Sequence, residues 1–216
     1  MTSLLGGCAT PAPEGVLERS ERFDAVLAAP PPSSEFEMSL GRTLSGRRSG
    51  RAFADEDLTT EVIATLFWSA QGVTDAAGHR TAPSAGALYP LELYAVTDEA
   101  MLHYLPDEHQ VEIGGVIATP ADLAAIAFGQ EWIGDAPVVI VIAGVVARTE
   151  AEYGAVAERL MDREAGPAAQ NLLLATVALG MASVPVGGFD PQEAARLLAL
   201  PPGQEVLYLI PVGHRT

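Results

Sequence analysis

Apolar and polar positions follow two different periods along this chain, and the switches between them mark out its elements. Thr59 or Thr60 is placed to cap a helix, Glu61 answers its dipole, and Val62, Ile63, Leu66, Phe67 and Ala70 recur at helical spacing until Gly72 stops it. A shorter helix starts after Ser39 and carries Leu40 and Leu44. Leu91 to Thr97 reads as a strand, followed by a hairpin of Met101 to Leu105 and Gln110 to Ile113 around Pro106-Asp-Glu-His109. Thr119-Pro120-Ala-Asp122 has the cap, the first-turn proline and the acid of a helix start, and this helix is predicted to run to about Gln130. Val138 to Val146 is a nearly continuous β-branched run, the pattern of a strand buried on both faces. A helix from about Glu150 to Arg163 is predicted to break at Gly166-Pro167, with a second from Ala168 to Met181 that is apolar almost all round. Such a helix belongs in the core or against another subunit. Ser183 to Asp190 is a short strand running into a glycine pair, Asp190-Pro-Gln-Glu193 is a capping box, and Glu205 to Val212 is a last strand. Helices and strands alternate irregularly around an antiparallel hairpin, which predicts an α+β fold rather than a doubly wound sheet.

The first part of the chain reads differently. Pro11, Pro13, Pro30, Pro31 and Pro32 mark a linker, with a short amphipathic helix expected around Val16 to Leu27, so residues 1–34 are assigned as signal remnant and linker and 35–216 as one domain. Leu4-Leu5-Gly6-Gly7-Cys8 resembles the end of a bacterial lipoprotein signal, which would put a lipid anchor at Cys8 and the protein in the cell envelope. The apolar run is too short to work as it stands: either a start lies upstream, or the match is chance and the protein is cytoplasmic. No segment approaches the ~18 continuous apolar residues of a membrane span.

Charge narrows the chemistry. The chain has 28 acidic and 12 basic residues, a net charge of −16 and a pI near 4.4, which disfavours nucleic acid and anionic membranes as partners. There is one cysteine, so no disulfide framework, and His79, His103, His109 and His214 show no zinc-type spacing, so no metal is expected. Every basic residue is an arginine, and Arg42, Arg47, Arg48 and Arg51 fall within ten positions, flanking Ser49. Two readings stay open from these residues alone: a site for one small anion, or cations at the end of a helix. The absence of lysine excludes a Walker-type phosphate loop, and no Gly-x-Ser-x-Gly elbow supports hydrolase chemistry. What remains is the arginine cluster, the small-residue loop Arg80-Thr-Ala-Pro-Ser-Ala-Gly-Ala-Leu-Tyr-Pro90 and the glycine pair, a set that suits a flat phosphorylated ligand.

Taken in order, Arg47-Arg48-Ser49-x-Arg51-x-Phe53, Phe67-Trp-Ser-Ala-Gln-Gly72, the loop from Arg80 through Tyr94, Gln170-Asn171 and Pro185-Val-Gly-Gly-Phe-Asp190 resemble the FMN-dependent nitroreductase family over roughly Ser39 to Gly213. More narrowly they are similar to its SagB-type branch, which includes azoline dehydrogenases. The resemblance implies a central mixed or antiparallel sheet surrounded by helices, a homodimer, and two-electron transfer between NAD(P)H and a small acceptor through flavin N5. It places Arg47, Arg48, Ser49 and Arg51 around the FMN phosphate, ribityl chain and pyrimidine edge. Pro83, Ser84, Ala85 and Gly86 would line the flavin of the other subunit. In the segment of Pro185, Val186, Gly187 and Gly188, a backbone N–H of Gly187 would face N5. Tyr89 either touches substrate or packs, and Gln170 and Asn171 are expected to satisfy backbone groups. Two departures stand out: Pro167 lies where the family often has histidine, and Arg215 is the one candidate for the basic residue beyond the last strand. The implied alternatives are FMN-dependent oxidation of thiazoline or oxazoline peptides and a non-enzymatic flavin-binding envelope protein.

Overall fold

A computed structural model describes residues 22–30 and 36–216. Cys8, and Val16 to Glu21 of the expected amphipathic helix, lie outside the described residues. Seven strands form one sheet: β1 Ala25–Ala28, β2 Leu91–Val96, β3 Met101–Leu105, β4 Gln110–Gly114, β5 Val138–Val145, β6 Ala182–Ser183 and β7 Gln204–Gly213. Their order is β1-β4-β3-β2-β5-β7-β6, and every neighbouring pair is antiparallel.

Residues 22–30 correct the linker assignment, because Ala25–Ala28 pairs with β4 as an edge strand. Its four side chains are all exposed, so it is held by backbone hydrogen bonds, and its run of four apolar residues, Ala-Val-Leu-Ala, shows no alternation to read as a strand.

β5 is buried along all but its last residue, and its alternation separates two cores. Val138, Ile140 and Ile142 face a core built with α2 (Thr60–Gln71) and the long helix α5 (Ala157–Ala178). Val139, Val141 and Ala143 face a second core with α3 (Pro120–Ala125) and α6 (Pro191–Leu197). Among the described residues there are two further α-helices, α1 (Leu40–Gly46) and α4 (Ala147–Tyr153). Ser39 and Thr59 cap α1 and α2 as their sequence position predicts, and Thr119 with Asp122 forms a full capping box on α3. At α6 the box is half made: Asp190 accepts from the backbone of Gln192 and Glu193, while the Glu193 side chain pairs with Arg196.

Several helix boundaries differ from the sequence prediction: the helix expected over Glu150 to Arg163 is divided by a tight turn at Gly154–Val156 into α4 and the start of α5, and α5 ends at Ala178, not Met181. α3 ends at Ala125 instead of Gln130, after which the chain turns through Phe128 and Gly129 at φ 51° and 83°. α5 runs without a break through Gly166-Pro167 for 22 residues. A proline inside a helix costs about 3 kcal/mol. Burial of Met161, Leu172 and Leu173 on the sheet, at roughly 1.5–3 kcal/mol for each side chain, outweighs that cost.

Candidate functional site

The chain leaves α1 through Arg47, whose N–H still bonds Thr43, and then runs along the outer edge of the sheet. There Ser49 bridges Ser183 in parallel and the Gly50 N–H donates to Ser183 O at 3.0 Å. The approach is close: a Cβ on Gly50 would stand 2.9 Å from the Ala182 Cβ, so this position requires glycine. Below it, Ser183 Oγ and Thr176 Oγ1 are 2.6 Å apart and buried, which ties β6 to α5.

This docking brings residues from the two ends of the domain together. Arg48, Gly50, Arg51, Ala52, Ala182, Arg215 and Thr216 line one cavity of about 190 Å³. Arg48 donates to the carbonyls of Ser45 and Arg47 at 3.0 and 2.8 Å, and Arg215 Nε donates to Met181 O at 3.0 Å. Arg51 lies 5.3 Å from the centre of the Trp132 ring. None of Arg47, Arg48, Arg51 and Arg215 forms an ion pair among the described residues. In a chain of net charge −16, three arginines held by carbonyls and a ring, with no carboxylate in ion-pair contact among the described residues, make a site that fits an anion, although Arg51 also borders a second cavity that Asp55, Asp57 and Asp135 line. The helix-end reading holds in part, since Arg47 is the C-cap of α1 and Arg48 bonds the last-turn carbonyl of Ser45, but it does not account for Arg51 or Arg215, which lie beyond that helix end. Arg47 does not line this cavity.

From Ser183 the chain passes through Val184 and half-buried Pro185 to Val186, which is buried and pairs with Leu209 in both directions at 2.8 and 3.1 Å. Gly187 and Gly188 then emerge exposed, and a Cβ at Gly187 would meet nothing within 4 Å.

Pro83, Ser84, Ala85 and Gly86 lie elsewhere: none of them lines the arginine cavity of its own chain. Ser84 Oγ accepts the Tyr89 N–H at 2.8 Å, and Gly86, Ala87 and Tyr89 take φ of 61°, 54° and 45°, so the loop is a tight, strained turn. It is fastened to α5 by Glu164, a carboxylate only 7% exposed that accepts the Ala85 N–H at 2.7 Å. Replacing Glu164 by leucine leaves that N–H unpaired, and we expect a loss of about 1–2 kcal/mol in chemical denaturation, largely restored by glutamine, which keeps the acceptor. Equal stability of the leucine variant and the wild type would show that the bond contributes nothing. Tyr89 itself lies under the Arg80 guanidinium, 4.4 Å from its carbon, so it packs in this chain.

The sequence profile of the nitroreductase family matches residues 44–214. The chain belongs to the nitroreductase family. It is 35% identical over 191 residues, 83% of this chain and 92% of the other, to protein MJ1384 of Methanocaldococcus jannaschii, named as a nitroreductase. A nitroreductase crystal structure from Ralstonia eutropha superposes with a TM-score of 0.79 at 25% identity, covering 96% of both chains. A second, from Anabaena variabilis, gives 0.69 at 24% identity over 81% of this chain and 37% of that one, and shows the shared fold. The nitroreductase fold and an oxidoreductase activity follow from this membership.

Sequence reasoning missed three side chains that support these segments. Glu164 could have been found as the one acid on the buried face Ala157, Met161, Glu164, Ala165, Ala168. Gln130, whose Nε2 donates to Gly188 O at 2.8 Å, and Trp132, beneath Arg51, left no local signal. Asn171 does satisfy a backbone group, donating to Thr81 O at 3.0 Å. Among the described residues no group of three or more His, Cys, Asp or Glu side chains is arranged to hold a metal. The densest ionisable cluster, His103 between Glu92 and Glu112 at 2.7 Å each, is an internal network. Burial would raise the Glu92 carboxyl, but its hydrogen bond to His103 and the charges of His103 and Arg148 outweigh this and hold it below its ordinary value.

Proposed function

We propose that this nitroreductase-family chain is an FMN-dependent oxidoreductase that passes two electrons between NAD(P)H and a small acceptor, and that it works as a homodimer. The observation that carries the reading is the cavity lined by Arg48, Arg51 and Arg215, whose guanidinium groups form no ion pair among the described residues of an acidic protein. In this reading the three guanidinium groups and the backbone at Gly50 hold the phosphate, while Arg47 and Ser49 follow the ribityl chain and pyrimidine edge. Pro185 and Val186 form the wall from which Gly187 and Gly188 project, and the Gly187 N–H is directed at N5. Bound FMN supplies hydride chemistry at N5, and a fixed guanidinium beside the N1 and C2-oxygen edge favours the reduced, more negative form. The protein's share is binding, orientation and electrostatics, with no side chain needed as acid or base.

The dimer is supported by surface left uncovered in one chain. Pro167, Gln170, Asn171, Leu174 and Ala178 form the incompletely buried stripe of α5. With Phe36, Met38, Leu40 and Trp68, the last three of these border a groove of about 300 Å³. Leu40 and Leu44 beside it are 66% and 53% exposed. A second copy seated there would cover this apolar surface.

The deciding experiment is the visible spectrum of the purified protein, followed by anaerobic addition of NADH and NADPH. The expected result is a yellow protein with about one FMN per subunit, bleached by one or both nicotinamides. A colourless protein that takes up no FMN in titration overturns the reading. Bleaching by a thiazoline or oxazoline peptide, and by neither nicotinamide, would instead assign the azoline-oxidising direction of the SagB-type branch. Light scattering across dilution tests the dimer, and a monomer that holds FMN tightly would refute a shared site.

A further inference from the structure

The backbone of Gly187 to Phe189 spans two anchors, the Val186 pairing with Leu209 and Asp190, whose N–H reaches Ile126 O at 3.4 Å. Between them, among the described residues, one hydrogen bond holds the chain, and it comes from a side chain 58 positions away: Gln130 Nε2 donates to Gly188 O at 2.8 Å. The same nitrogen donates to Ala127 O at 2.9 Å. A carboxamide nitrogen has two protons, and here both go to backbone carbonyls, one on each loop, so the side chain is a brace between them.

The loop that delivers Gln130 is built at a cost. After α3 the chain reverses through Phe128 and Gly129 at φ 51° and 83°, the first of which is a conformation that a bulky residue seldom adopts. The Phe128 ring is 75% exposed, so no burial of its own offsets the strain. The turn is closed by Gln130 N–H on Ala127 O at 3.2 Å, and what it presents to the rest of the site is the Gln130 carboxamide. Gly187, by contrast, has no side chain to pack, a Cβ built there would meet nothing within 4 Å, and its N–H finds no acceptor among the described residues.

We propose that Gln130 is a positioning residue of the redox site: by fixing Gly188 it fixes the direction of the Gly187 N–H, and so the rate at which a hydride is accepted opposite that donor. This rests on the FMN reading above. Two variants separate donor from volume. Gln130→Met keeps the length and removes both donors, and Gln130→Glu keeps the shape but sets carboxylate oxygens against two carbonyls.

The first measurement is ¹⁵N relaxation of the protein without added flavin. Backbone order parameters at Gly187 and Gly188 near the ~0.85 of rigid backbone should fall below about 0.6 in both variants, while those of β5 stay unchanged. The second is stopped-flow reduction of the FMN-loaded protein beside an FMN titration. The rate should fall about tenfold or more, with FMN affinity within about twofold of wild type. Unchanged order parameters in Gln130→Met would show that no brace exists. Loosened glycines with an unchanged reduction rate would make Gln130 merely structural and overturn the proposal. A wild-type protein that binds no FMN would remove the proposal together with the cofactor reading, and its spectrum tells that failure from the others.

Discussion

Replacing Arg48 by alanine is expected to weaken FMN binding by about 1.5–3 kcal/mol, roughly 10- to 150-fold in Kd, without unfolding the protein. The fold should tolerate the change because the Arg48 side chain is exposed and its two hydrogen bonds go to the carbonyls of Ser45 and Arg47 close by in sequence. The effect on binding should be larger than that of an ordinary surface ion pair, which is worth about 0–1 kcal/mol. Those two carbonyls pre-orient the guanidinium at the mouth of the cavity, so little side-chain entropy remains to be lost when an anion arrives. Arg51→Ala should lose affinity as well, and with it the stacking on Trp132. Fluorescence titration with FMN, set beside chemical denaturation of the same variants, checks both. Wild-type affinity in Arg48→Ala would place the phosphate elsewhere. A loss of affinity that strengthens at low salt would show that the cavity acts only through long-range charge.

The elements that chain-local physics decides were readable from the sequence. Caps at Ser39, Thr59 and Thr119 are short-range hydrogen bonds, and the run from Val138 is apolar on both faces because both faces of β5 meet a core. The errors came where distant packing outweighed local preference. Pro167 signals a helix break, yet the helix it interrupts is buried on the sheet on either side of it. Ala25–Ala28 has no alternating pattern because its side chains are solvated and only its backbone is recruited by β4.

The site divides in the same way. Arg48 and Arg51 are legible as a cluster of like charge in an acidic chain, and Arg215 joins them because the last strand runs beside β6. The Pro83 to Gly86 loop is legible as a motif, but its support is not: Glu164 reaches it from 79 positions away. Nothing in the spacing of Gln130 announces that its side chain ends on Gly188. Long-range braces of this kind depend on tertiary approach, and a single sequence carries no record of it.

At Gly187 the expected effect is on rate, with folding and cofactor affinity preserved. A valine there should be accepted by the fold, because a Cβ built at Gly187 meets nothing within 4 Å and the backbone is not in the left-handed region that excludes branched side chains. Exposed substitutions of this sort usually change stability by less than about 0.5 kcal/mol. In the proposed reading the open space at Gly187 is taken by the cofactor, and two methyl groups would stand between the Gly187 N–H and the atom it is proposed to serve. Loss of one well-placed backbone donor in other active sites slows the chemical step by about 10²–10³-fold. A displaced donor is less damaging than a deleted one, so Gly187→Val is expected to slow flavin reduction by about 10- to 100-fold. FMN affinity should change far less, since in the proposed reading the arginine cavity, which the glycine pair does not line, holds the phosphate end. Stopped-flow reduction and an FMN titration on one preparation separate the two quantities. If affinity falls as steeply as rate, the valine blocks the whole cofactor site, and if neither moves, Gly187 does not stand beside the reacting atom.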